Sequence, residues 1–129
     1  LFERWRKDLP SLEIHLIKGN HDILSYQWYQ SAGITVHSGQ LTIGDFMFMH
    51  DAAMPVADGG AKYLFSGHIH PGVTLRHIAR QALHFPCFHF GYNCCTLPAF
   101  SRFTGATRIR PKKEDKVFAI VEDDVIAMQ

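Results

Sequence analysis

The sequence is short of cysteine, of long apolar runs and of helical periodicity. Only Cys87, Cys94 and Cys95 stand among its 129 residues. So few thiols, two of them adjacent, argue against a disulfide framework and suit a reducing, cytoplasmic setting. No apolar run approaches the roughly 20 residues of a membrane-spanning helix. Residues 1–10, LFERWRKDLP, hold no apolar core of the kind a signal peptide carries. They also lack an initiator Met and open inside an amphipathic stretch, so a preceding segment is expected in the native protein. Charge is sparse as well. A 19% charged share and a formal net charge of +1 supply no overall electrostatic footprint for nucleic acid or membrane. There is no internal repeat and no low-complexity tract. The length suits one domain, residues 1–129, around one core. The excess is histidine, at nine residues.

Apolar periodicity and turn residues place the elements. Residues 1–7 read as a helix end stopped by Pro10, and residues 12–17, LEIHLI, as a strand. A polar turn, residues 18–22, leads to a helix over 23–32 with Leu24 and Trp28 inward, Tyr29 a further candidate, and Gly33 as its stop. Strands follow at 34–37, 40–43, 46–50 and 61–66, with Gly39 and Gly44-Asp45 between them. Residues 73–78 and 81–85 read as a hairpin, and 117–121 with 125–128 as a second one turning at 122–124. The one shift in composition is RIRPKKEDK at 108–116, read as an exposed basic turn.

Three segments share a design in which a strand runs into a polar turn holding histidine. They are residues 16–22, 46–51 and 64–71. Strand ends on one edge of a sheet lie together in space, and catalytic groups gather on such loops. In Gly67-His68-Ile69-His70, two histidines two apart at a strand end point the same way, so each imidazole can serve a different ion of a metal pair. Gly67 allows close backbone approach and Pro71 fixes the exit. A pair of exposed polar turn residues is the simpler reading of this segment alone. In Gly19-Asn20-His21-Asp22, Asn20 offers a neutral oxygen ligand of the kind Mn²⁺ and Mg²⁺ accept. His21 is placed to protonate a leaving oxygen. Asp22 either orients this loop or caps the following helix. His50 closes the strand at 46–50 and gains weight only as a member of the set.

These motifs, GNHD at 19–22, a lone His50 after a strand, and GHIH at 67–70, resemble in order and spacing the calcineurin-like metallophosphoesterase superfamily. The resemblance covers residues 12–129, the later part of that family's domain. It implies a layered α-β-β-α sandwich of α/β class, of which this chain forms the C-terminal portion with mixed β-sheets. It implies that Asn20, His50 and His68 hold one metal and His70 the second, while His21, supported by Asp22, is catalytic. The cofactors would be two divalent ions, Mn²⁺ first, with Fe or Zn as alternatives. The family's opening D-x-H and G-D motifs, which supply a carboxylate bridging both ions, have no counterpart here. Pro86-Cys87-Phe88 and residues 97–105, LPAFSRFTG, further resemble the bacterial branch associated with DNA ligase and a helicase. That resemblance implies a phosphodiesterase of DNA ends or nucleotides, working beside DNA-repair proteins.

The other histidines carry less. Cys87, Cys94 and Cys95 with His84 and His89 match no zinc spacing and read as core or pocket wall. His15, His37, His77, His84 and His89 read as structural or surface groups. Arg102 is the candidate substrate-binding residue, in a loop with Ser101 and Thr104. Arg108 and Arg110 are further candidates for phosphate contact. Arg76 and Arg80, near GHIH, are others, with a surface role as the default. The competing reading is a non-enzymatic interaction scaffold with a degenerate metal site, against which the intact His21 speaks.

Overall fold

The computed structural model describes residues 2–53, 60–76, 82–101 and 104–128. Strands dominate it, and both helices of the described residues lie before Gly33. Helix α1 (Phe2–Asp8) places Phe2 against Trp5 and Trp28. Arg6 ties α1 to the segment leaving it, donating from Nη1 to the carbonyls of Leu9 at 2.6 Å and Leu12 at 2.9 Å. Leu12 is therefore held outside the sheet and half exposed, and strand β1 (Ile14–Ile17) starts two residues later than its apolar pattern suggests.

Helix α2 (Tyr26–Ser31) is shorter than the apolar spacing implies. Its N-cap is Ser25, whose hydroxyl accepts from the Trp28 N–H, and not Asp22. Asp22 is unavailable as a cap because its Oδ2 accepts from the Gly19 N–H at 2.7 Å. Ile23 and Leu24 consequently stand outside the helix and exposed, and Tyr29 is the side chain that α2 buries. Gly33, at φ 69°, ends the helix in the left-handed conformation that suits glycine.

The strands form two sheets. Strand β2 (Ile34–His37) pairs parallel with β1. The larger, mixed sheet begins with β3 (Gln40–Ile43) and β4 (Phe46–Met49), antiparallel across the Gly44 turn. Strand β5 (Tyr63–Ser66) lies parallel to β4, and β6 (Pro71–Arg76) comes next in sequence. The long β7 (Ala82–Phe90) changes partner at Pro86-Cys87. Residues up to Pro86 pair with β6, and residues from Cys87 pair with β10 (Lys116–Val121). Strand β8 (Cys94–Thr96) lies between β7 and β5, and β11 (Asp124–Met128) lies beyond β10. A two-residue strand, β9 (Thr107–Arg108), pairs parallel with the start of β6.

The core sits where β6, β7 and β10 meet. Val73, Cys87, Val117 and Ala119 are buried there, with Phe85, Ile109, Val121 and Met128 packed around them. Burial pushes the thiols of Cys87 and Cys95 up to about 11, so neither serves as a thiolate at neutral pH. The α/β class and the mixed sheet stand as expected, with sheet far outweighing helix. The described residues form two sheets and two short helices.

Candidate functional site

Topology brings two of the three histidine turns together. Strands β4 and β5 are parallel neighbours with Met49 opposite Ser66, so the residues leaving them, His50 and Gly67, are adjacent. The Gly67 N–H donates to the His50 carbonyl at 3.0 Å and extends the ladder by one step. The third turn leaves β1, which is steered by a hydrogen bond from the Lys18 N–H to the His37 carbonyl at 2.8 Å. It then folds back on itself through the Gly19–Asp22 contact. Asp22 thus acts as an internal brace of the turn that presents Asn20.

Three donor atoms converge. His50 Nε2 lies 2.9 Å from Asn20 Oδ1 and 3.0 Å from His68 Nδ1. The two rings meet edge to face, with centroids 4.8 Å apart at 74°. One Nε2 makes at most one conventional hydrogen bond through its single proton or lone pair, so it does not fully satisfy both neighbours. Burial, then the charge of His68, lower the His50 pKa and favour its neutral form. Asp51, Asp22 and His21 also lie within electrostatic reach of the His50 ring.

His68 is reached through an unusual backbone. Both His68, at φ 65°, and His70, at φ 49°, occupy the left-handed region. Strand alternation therefore does not set the directions of these two side chains, since the chain has left the sheet and curls at both positions. Among the hydrogen bonds and ring contacts of the described residues, none joins the His70 imidazole to His50 or His68. The His70 carbonyl accepts from the Thr107 N–H at 2.8 Å, which pins this turn to β9. Pro71, almost fully buried, then starts β6, as expected of the residue that fixes the exit.

The glycine that allows close approach is not Gly67. A Cβ at Gly67 would meet nothing nearer than the His50 carbonyl at 3.8 Å, an ordinary contact. A Cβ at Gly19 would lie 2.5 Å from His50 Nδ1 and 2.6 Å from Cε1. The imidazole of His50 lies close against the Gly19 backbone, so a side chain at position 19 would force the ring to move.

Strand-turn spacing does not single out Asp51, yet it belongs to the site. Its Oδ2 stands 3.9 Å from His68 Nε2, and its Oδ1 accepts from the Ala53 N–H at 2.9 Å. At 3.9 Å the carboxylate is beyond hydrogen-bond distance and acts on the His68 ring through its charge. The one signal in the sequence is its place directly after His50. His21 is exposed, and its carbonyl accepts from Ile23 N–H. Arg102 lies outside the described residues, as do His77 and Arg80. The remaining histidines are occupied elsewhere. His15 and His37 pair at 3.0 Å across β1 and β2, His84 meets Thr74, and His89 meets Asp115 at 2.8 Å.

Two ligands held about 2.1 Å from a common ion at right angles are about 3.0 Å apart. The separations of His50 Nε2 from Asn20 Oδ1 and from His68 Nδ1 are of that size. Among the described residues no group of three or more His, Cys, Asp or Glu is arranged to hold a metal, and the convergence here is two imidazoles and an amide oxygen.

No family model and no curated protein matches the chain. A solved structure does. The crystal structure of the Pseudomonas putida nuclease MPE is similar with a TM-score of 0.73 and 29% identity, over 98% of this chain and 59% of that one. The chain thus spans somewhat more than half the length of that nuclease.

Proposed function

We propose that the chain carries the larger part of a metal-dependent phosphoester hydrolase, a two-metal phosphodiesterase that acts on nucleic-acid ends or nucleotides, in the metallophosphoesterase fold. The observation that carries the reading is the convergence of Asn20 Oδ1, His50 Nε2 and His68 Nδ1 from three separate loops. The likeness to a nuclease supports the substrate class.

Asn20, His50 and His68 would hold one ion and His70 the second, with Mn²⁺ the first choice and Fe or Zn the alternatives. Bound ions supply Lewis-acid stabilisation of the charge that builds on the phosphoryl oxygens. The protein's own groups do the rest. Gly19 admits the His50 ring, and the Asp22 brace fixes the turn that carries both Asn20 and His21. Asp51 places a negative charge beside the far nitrogen of His68. His21, exposed at the rim, donates a proton to the leaving oxygen. Ligands from a preceding segment, including a bridging carboxylate, would complete the pair. A nucleic-acid substrate carries with it a cytoplasmic setting among DNA-repair proteins, which belongs to this proposal. Neither Arg102 as a substrate contact nor the full α-β-β-α layering is needed for it.

The test is hydrolysis of bis-p-nitrophenyl phosphate with Mn²⁺ by the protein extended through its preceding N-terminal segment and by the His21→Ala variant of the same protein. Turnover that the variant loses, by the ~10²–10⁴-fold that general acid catalysis contributes, supports the reading. No turnover with Mn²⁺, Fe²⁺ or Zn²⁺ overturns it and leaves the interaction scaffold.

A further inference from the structure

We infer that the basic segment 108–113 and the groove beside it form the surface on which the phosphodiester backbone of a nucleic acid lies as it approaches the histidine turns. The inference rests on the proposed substrate class and extends it to a binding surface.

Position comes first. β9 is short, but it is joined to the GHIH turn residue by residue. Thr107 pairs with Pro71 and donates its N–H to the His70 carbonyl. Arg108 pairs with Gly72, and the Ile109 N–H donates to the Gly72 carbonyl at 3.0 Å. The chain therefore passes from contact with His70 directly into Arg108, Arg110, Lys112 and Lys113.

Charge comes second. All four side chains are exposed, and none makes an ion pair with another described residue. Asp115 lies within electrostatic reach of Lys112 but makes no direct ion pair with any of the four. Asp115 Oδ2 accepts from His89 Nε2 and from the Lys112 N–H, each at 2.8 Å, and it serves to close the turn. The acidic residues of the terminal hairpin, Glu122, Asp123 and Asp124, lie at the opposite end of β10. Six residues of strand put about 20 Å between the two poles, beyond a Debye length at physiological salt. A net charge of +1 thus conceals a segment, residues 108–116, that carries five cationic side chains against the two acidic ones of Glu114 and Asp115.

Shape comes third. The four cations, with Asp115 among them, line a groove of about 540 Å³ together with Val73 and Val117. A concave, cation-rimmed groove suits a linear polyanion. A lipid surface would call for a flatter face with exposed apolar anchors.

The experiment is fluorescence anisotropy with a labelled single-stranded oligonucleotide, read in EDTA across about 50 to 200 mM salt. The protein is compared with the triple variant Arg110→Ser, Lys112→Ser, Lys113→Ser and with the charge-preserving variant Arg110→Lys, Lys112→Arg, Lys113→Arg. Each released phosphate contact contributes about 0.7 to the salt slope of single-strand binding, so the serine variant should lose about 2 of slope and bind about tenfold or more weakly at low salt. The charge-preserving variant should bind as the parent does. Thermal melting of all three proteins verifies that each is folded. Equal affinity and slope in the parent and the serine variant would overturn the inference, as would binding to anionic vesicles but not to the oligonucleotide. Binding in EDTA requires no turnover, so a protein that binds through this segment and hydrolyses no ester leaves the surface standing and removes the hydrolase reading alone.

Discussion

Gly19→Ala is a one-methyl change that should disable the donor convergence. The added Cβ would stand 2.5 Å from His50 Nδ1, about 1 Å inside ordinary van der Waals contact. The His50 ring has to retreat by that amount or rotate. Metal–ligand distances tolerate about 0.2 Å, so the displacement is several times what a coordinated ion accepts. Loss of correct orientation at a ligating histidine typically costs about 10–100-fold in metal affinity. Isothermal titration with Mn²⁺ reads this directly, and Gly67→Ala is the matched control, because its Cβ meets nothing nearer than 3.8 Å. Gly67→Ala should bind as the parent does. Equal affinity in parent and Gly19→Ala would refute the argument that His50 needs the bare backbone of Gly19.

Two further outcomes concern the turn that closes the basic segment. Asp115→Ala removes a carboxylate that accepts from His89 and from the Lys112 N–H, and should lower the unfolding free energy by about 1–2 kcal/mol, measured by urea titration. The His89 hydrogen bond first, and the Lys112 N–H second, hold the Asp115 pKa below its ordinary 3.8. A depressed carboxylate contributes stability that is present above the ordinary value and lost as pH falls through the folded one. Asp115→Asn should therefore flatten the stability profile below pH 3.8, and an unchanged acid limb would contradict the pairing.

Much of the fold is legible in the sequence because alternation and turn residues agree. Strands β2 and β3 fall on 34–37 and 40–43 as the pattern places them, and the terminal hairpin turns at Glu122, which takes φ 55°. The errors have local causes. Helix α2 starts at Tyr26 because Ser25 caps it while Asp22 is engaged by Gly19, a competition between side-chain acceptors that apolar spacing does not encode. The hairpin strands β6 and β7 extend further than 73–85, because each finds a second partner distant in sequence. Strand β9 has two residues and no periodicity to detect. At the site, the three strand-turn segments whose Asn20, His50 and His68 converge are readable from the sequence. Their spatial relation is not. Left-handed turns at His68 and His70 overrule strand alternation, and the close approach falls at Gly19, whose neighbour His50 is 31 positions along the chain. Asp51 escapes notice because its partner His68 comes from another strand end.

The most direct measurement of the central claim is a Mn²⁺ titration followed by electron paramagnetic resonance, on the protein and on its Asn20→Ala and His50→Ala variants. The free-ion signal should be quenched by the parent up to a defined stoichiometry and remain at full strength with either variant. A parent that quenches no Mn²⁺ signal, or variants that bind as it does, would contradict the assignment of Asn20, His50 and His68 to a common ion.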